Sequence, residues 1–296
     1  MKLSEFFDKD EIVLDGEFST LAYVDSRDAG SLAYCDTLFY VEKANKNSKI
    51  TCVITKKDLC SRIGSEKGIV VSRHPRVAFY ELHNLLLEKG GYGLKIDHNI
   101  GRGCSIHPSA IISLNTSIGN NVRIAENVVI KDGVTVGDNT FIDAGAVVGC
   151  DGLLYTVEDA RISFVRHAGG VSIGNNVVIL SSAVIAKSVH GSLLTTIGHN
   201  TIIGVSSTIG HEVQIANNVV ISTNCVIARR ARIGEGTRIG PSSVVREHVT
   251  IGEAARIHLG SIVVEDVDRG QSVSGNFALD HMVNLMEYTK MKRAKK

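Results

Sequence analysis

Residues 115–148 read NTSIGNNVRIAENVVIKDGVTVGDNTFIDAGAVV. An aliphatic residue returns at every sixth position: Ile118, Ile124, Ile130, Val136, Ile142 and Val148. Four places after it stands a small or β-branched residue, as in Val122, Val128, Val134, Thr140 and Ala146. The series extends back through Ile112 and Ile106 to Ile100. Forward, its phase slips by one across an insertion and resumes at Ile173, Ile179 and Ile185, with Gly191 in the next slot. From Ile197 it runs unbroken through Ile215, Ile233 and Ile251 to Val263. Neither the helical nor the strand period fits. A period of six assigns each hexad one short strand and one turn, with three hexads closing one coil of triangular section. The repeating aliphatic side chains then stack inside a prism, which is a parallel β-helix.

Composition agrees with this reading. Among 296 residues there are 29 glycines, 3 prolines, 7 tyrosines, 8 phenylalanines and no tryptophan, yet 44% are hydrophobic. A core so poor in aromatics must be built from Ile and Val, and the apolar fraction excludes a disordered chain. The formal net charge of +1 gives no basic excess for a nucleic-acid partner. Six scattered cysteines without a CxxC pair read as reduced thiols of a cytoplasmic protein, and no run is long and apolar enough for a signal peptide or membrane span. Two segments escape the period. Residues 1–95 hold strand-like runs (Ile50–Thr55, Gly68–Ser72) and a helix opening at Pro75 and stopping at Gly90, which predicts a separate α/β domain. Residues 96–270 form the prism. Residues 271–296 predict a helix over Phe277–Met291 and a basic tail, KMKRAKK, that offers a surface to an acidic partner. The insertion between Val148 and Ile173 reads as a loop leaving the solenoid.

The order of small domain, hexapeptide prism and short helix resembles the UDP-3-O-acylglucosamine N-acyltransferase family of lipid A biosynthesis. The resemblance covers nearly the whole chain. It implies a left-handed coil, against the usual right-handed crossover. Tyr34 and Tyr40, separated by five residues, match the pair that in that family sandwiches the uracil of the nucleotide sugar, and Thr37 takes the place of the family's Asn between them. STIGHEVQIANNVVI is similar to the family's QIAHNVVIG segment and sets His211 on the catalytic histidine. VVREHVTIGE sets His248 on a second histidine lining the donor side, and FVRHAGG gives His167 as an acceptor contact. One coil after His211, Arg229 replaces the glycine beside which the family holds the thioester carbonyl. Glu212 follows the histidine in place of Asn.

The chemistry suits these residue types. A sugar ammonium must lose a proton before its nitrogen attacks a thioester, and imidazole titrates in the required range. A backbone N–H can then hold the tetrahedral oxyanion. The resemblance therefore implies an N-acyltransferase with a UDP-amino sugar as acceptor and an acyl carrier protein thioester as co-substrate. It implies no bound cofactor or metal, and a homotrimer. Two alternatives stay open. One is an N-acetyltransferase for surface polysaccharide, using acetyl-coenzyme A whose phosphates meet Arg229 and Arg230. The other is a non-catalytic sugar-binding scaffold. A metal site is disfavoured because the histidines of the prism include no closely spaced pair.

Overall fold

The computed structural model describes residues 1–90, 92–275 and 281–294. The N-terminal unit is a five-stranded sheet with β1 (Ile12–Leu14), β2 (Thr20–Leu21), β3 (Ser31–Cys35), β4 (Ile50–Thr55) and β5 (Gly68–Val71) in the order β1-β5-β4-β3-β2. Only β1 runs antiparallel to its neighbour. Helix α1 (Leu38–Lys46) packs Val41 and Ala44 on one face, with Ala33 and Val53. Helix α2 (Pro75–Glu88) covers the other face with Phe79, Tyr80, Leu82 and Leu86. Pro75 fits the first turn of α2 because the N–H it lacks has no helical partner there. Sequence reading found β4, β5 and α2 but passed over α1, whose apolar residues Leu38, Phe39, Tyr40 and Val41 come in one run rather than at helical spacing.

From Asn99 the chain winds through three parallel sheets of nine, eight and eight strands. Successive coils pair in register at an 18-residue spacing, as Arg123 does with Phe141 and Ile203 with Ile221. The inward residues Ile124, Ile142, Ile179, Ile203, Ile221, Ile239 and Ile257 are at most 3% exposed along one sheet, and the other two sheets repeat the pattern. Where the position four beyond the aliphatic residue is Thr or Ser, its buried hydroxyl donates to a backbone carbonyl, in most cases one of the next coil. Examples are Thr201 to Ala216 O at 3.2 Å and Ser207 to Ser222 O at 2.7 Å. The core therefore tolerates these hydroxyls without an unpaired polar atom.

The corners explain the recurring asparagines. Asn121, Asn139, Asn176, Asn200 and Asn218 all adopt left-handed backbone, with φ of 55–61°. Asn accepts this region more readily than other side-chain-bearing residues. Their amides form a ladder down the corner, Asn176 to Asn200 at 3.1 Å and Asn200 to Asn218 at 3.3 Å.

Three expectations change. First, the insertion is a β-hairpin, Tyr155–Glu158 against Arg161–Phe164, and it lies on α2. Its coil spans 37 residues between Val134 and Val171, which accounts for the one-residue phase slip. Second, Gly191 is not a spine position. Gly170 pairs with Leu194, a spacing of 24, so the coil holds one extra hexad and residues 187–193 leave the prism as a loop. An insertion equal to one period is invisible to periodicity. Third, the prism continues beyond residue 270, because Ser272–Val273 pairs with Arg256–Ile257 at a shortened spacing of 16. The C-terminal helix α3 spans His281–Ala294, so the expected start at Phe277 lies outside the described residues, as do Lys295 and Lys296.

The N-terminal unit and the prism share one core. Leu154 and Val165 from the hairpin segment and Val189 from the extra hexad pack with Leu21, Phe79 and Tyr80. No helix among the described residues is long and apolar enough to cross a membrane.

Candidate active site

Both insertions converge on His211. Its ring lies edge-on to His167, with centroids 5.1 Å apart and planes at 82°, and the two side chains are 4% and 3% exposed. Gly152 closes over them. Its N–H donates to His167 Nε2 at 3.2 Å, and a Cβ placed on it would stand 2.9 Å from His211 Cδ2. The return strand also needs glycine, because a Cβ at Gly170 would run into the Gly133 carbonyl. His167 Nδ1 and both ring nitrogens of His211 make no hydrogen bond within the protein. Buried polar atoms are normally paired, so orphaned nitrogens mark a place where a ligand group is received. Burial and the neighbouring His211 lower the His167 pKa to about 4, so it is neutral at pH 7.

Beyond the Nδ1 edge of His211 lies a buried ion pair. Arg230 Nε donates to Glu212 Oε2 at 2.5 Å, and the Arg230 guanidinium carbon sits 4.0 Å over the Tyr23 ring. Tyr23 OH and Val189 N–H both donate to Glu212 Oε1 at 3.3 Å. Burial would raise the Glu212 pKa, but His211 and Arg230 outweigh it and hold the carboxyl at about 2. Next to Tyr23 is His190, fully buried among Phe79, Tyr80 and His83, with burial lowering its pKa to about 3.

A cleft of about 780 Å³ opens on this side, between residues 22–28, the extra hexad and the prism; Glu212, Arg230, Arg232, His190 and His248 line it. His248 is exposed, and its pKa is lowered by partial desolvation and by Arg230 and Arg229. The structure thus brings His167 to His211 and sets His248 on the cleft beside Arg230. Arg229 is exposed at the corner one coil below His211, where His248 N–H donates to its carbonyl at 3.2 Å. Arg230 donates through Nε to Glu212 and lies over Tyr23, and its side chain still lines the cleft. Tyr34 and Tyr40 stand apart from the cleft lining. Tyr34 is half-buried against Phe79 and Tyr80, whereas Tyr40 on α1 is 39% exposed and packs on Phe39.

Sequence reading missed Tyr23, Gly152 and the role of Glu212. Tyr23 lies in no repeat and meets the prism only through the fold, and Gly152 looks like any loop glycine. His190 was hidden by the period-length insertion. Among the described residues, no group of three or more His, Cys, Asp or Glu side chains is placed to hold a metal ion.

Known proteins resemble this chain along the prism. The bacterial transferase hexapeptide repeat family matches residues 115–150, and the hexapeptide repeat of succinyl-transferases matches residues 194–229. Both matched stretches lie on the prism, whose repeats are thus similar to those of hexapeptide transferases. Among curated proteins, the UDP-3-O-acylglucosamine N-acyltransferase of Helicobacter pylori is similar: it is 29% identical over 253 residues, 73% of this chain and 74% of its own. Among solved structures, an Arabidopsis UDP-N-acetylglucosamine acyltransferase is 26% identical, with a TM-score of 0.46 over 62% of this chain and 69% of its own. A UDP-N-acetylglucosamine O-acyltransferase from Moraxella catarrhalis is 24% identical, with a TM-score of 0.40 over 64% and 76%.

Proposed function

We propose that this acyltransferase moves an acyl group from a carrier-protein thioester to the amine of a UDP-linked amino sugar, with His211 as general base. The observation that carries this reading is the buried His211 ring whose two nitrogens make no hydrogen bond within the protein. In the proposed reaction Nε2 takes a proton from the sugar ammonium. The freed amine attacks the thioester carbon, and the carbon–sulfur bond breaks as the tetrahedral intermediate collapses to the amide. The thiolate leaves and takes up the proton held on Nε2, and the second proton of the attacking nitrogen passes to solvent. The Arg229 backbone N–H, next to Gly210, is the donor offered to the oxyanion.

His167 contacts the acceptor, His248 and the Arg229 side chain line the donor side, and Tyr34 and Tyr40 hold the uracil. The exposure of Tyr40 on α1 suits a residue that awaits a flat ligand. Self-association into a homotrimer is supported by one prism face. Its outward residues include Ile111, Val129, Val147, Val184, Val226, Val244 and Ile262, of which Ile111 and Ile262 are 65% and 73% exposed. At the same positions a second face mixes Arg123, Arg238 and Arg256 with Phe141, Val178, Ile202 and Val220, and the third carries polar residues such as Ser117, Gln214 and Arg232. Light scattering on the purified protein reads the oligomer.

Turnover assays with a UDP-3-O-acylated amino sugar, run in parallel with acyl carrier protein and acetyl-coenzyme A donors, test the reaction. Mass spectrometry of the product identifies the donor. A His211→Ala variant that keeps full turnover, or a wild-type protein inert with both donors, removes the proposal.

A further inference from the structure

Glu212 is held more firmly than an ordinary corner residue. Its backbone is left-handed, with φ of 62°, and its N–H donates to Thr195 Oγ1 at 2.8 Å. The carboxylate is reached from three parts of the fold: Tyr23 from the segment after β2, Val189 from the extra hexad and Arg230 from the next coil. Only 7% of the residue is exposed. Held in this way, Oε1 stands 3.8 Å from His211 Nδ1. That is too long for a hydrogen bond in this state and close enough for a strong charge interaction in a desolvated setting.

The other charged or titratable groups around the ring come from the insertion segment and its surroundings: His167, with Asp151 and Lys187 behind it. His190 lies on the far side of Glu212. Glu212 is therefore the anion nearest Nδ1. A fixed carboxylate there favours the tautomer with hydrogen on Nδ1, leaves Nε2 bare, and stabilises the imidazolium once Nε2 has taken a proton.

We infer that Glu212 is a positioning residue for His211, and that Tyr23 and Arg230 make its grip depend on the N-terminal unit being seated on the prism. This rests on His211 being the base. The N-terminal unit then does more than carry substrate residues, because its Tyr23 sets the proton state of a histidine on another part of the fold.

The test uses the full chain with 15N-histidine labelling together with pH–rate profiles. In the wild type, His211 is expected with Nδ1 protonated and Nε2 bare above neutral pH. In Glu212→Gln that preference is lost and the acid limb of kcat/KM moves to lower pH by roughly 1–3 units, because the nearby negative charge is gone. Turnover falls on the order of 10²-fold with the KM for the sugar unchanged. Glu212→Asp keeps the charge and restores the limb towards its wild-type position. Tyr23→Phe moves the tautomer and the limb in the same direction as Glu212→Gln, by less. Wild-type tautomer and acid limb in Glu212→Gln overturn the inference, even if that variant is less stable. A Tyr23→Phe variant indistinguishable from wild type by both readouts overturns the coupling. If His211→Ala keeps full turnover, the base assignment fails, and the nitrogen spectra of Glu212→Gln still decide whether Glu212 positions the ring.

Discussion

Adding one methyl group at Gly152 gives a sharp test of the site. Its backbone is outside the left-handed region, so alanine brings no conformational penalty. The new Cβ would stand 2.9 Å from His211 Cδ2 and 3.2 Å from His167 Nε2. Carbon atoms pack best at about 3.5–4.0 Å, so the His211 ring or the loop must give way by roughly 0.6–1.1 Å. Overpacking of this kind costs about 1–3 kcal/mol of stability. A catalytic group misplaced by about 1 Å loses on the order of 10²-fold in rate. Gly152→Ala is therefore expected to remain folded with Tm a few degrees lower, and to turn over about a hundredfold more slowly. Gly191→Ala is the control: its Cβ would find neighbours no closer than 3.4 Å, an ordinary contact, so rate and Tm should stay at wild-type values. The assay is amide product by mass spectrometry under saturating donor, with calorimetry on the same samples. Full activity in Gly152→Ala would refute the claim that His211 must sit where it is seen.

Other perturbations follow from the same geometry. Ile221→Ala empties a fully buried spine position and should cost about 2–5 kcal/mol in denaturant unfolding. Asn218→Ala puts an alanine at φ of 61° and breaks the corner ladder, so it should destabilise by about 1–2 kcal/mol, whereas Asn218→Gly should cost less. Acid should weaken the fold in two stages. His190 (folded value about 3) and His83 and His167 (about 4) are neutral when folded, whereas their unfolded forms bind protons below about 6.5, so stability falls as pH drops from there towards 4. At pH 5 the contribution lost at His190 alone is about 2 kcal/mol. The folded Glu212 carboxyl is depressed to about 2, so its contribution is intact above about 4.5 and goes as pH falls from there towards 2. Calorimetry across pH 4–8 should show the first loss, and His190→Phe should flatten it. Tyr40→Ala should raise the KM for the UDP-sugar with little change in kcat, as steady-state kinetics can check.

The prism was legible because each coil repeats one local rule, in which an inward aliphatic residue, a small corner residue and a left-handed asparagine recur together. A departure from the period of any other length would have announced itself, as the 150–170 segment did by its one-residue slip. The 187–193 loop did not, since it lengthens its coil by one hexad, and His190 and Val189 went unplaced with it. Helix α1 was missed because nine residues of mixed polarity give a weak signal, although Tyr40 sits on it. His211, His167 and His248 could be named from the resemblance, but their sequence positions do not tell that the first two touch and the third stands on a separate cleft.

The sequence alone therefore determined the solenoid and its spine, since period and burial are properties of neighbours at fixed spacing. Only the tertiary structure decided which residues surround His211. Tyr23, Gly152, His167, Glu212 and Arg230 come from four stretches of chain separated by tens of residues. They meet because the N-terminal unit, the hairpin and the extra hexad bury their apolar faces in one core. Burial of that kind is indifferent to sequence distance, and no local pattern records it.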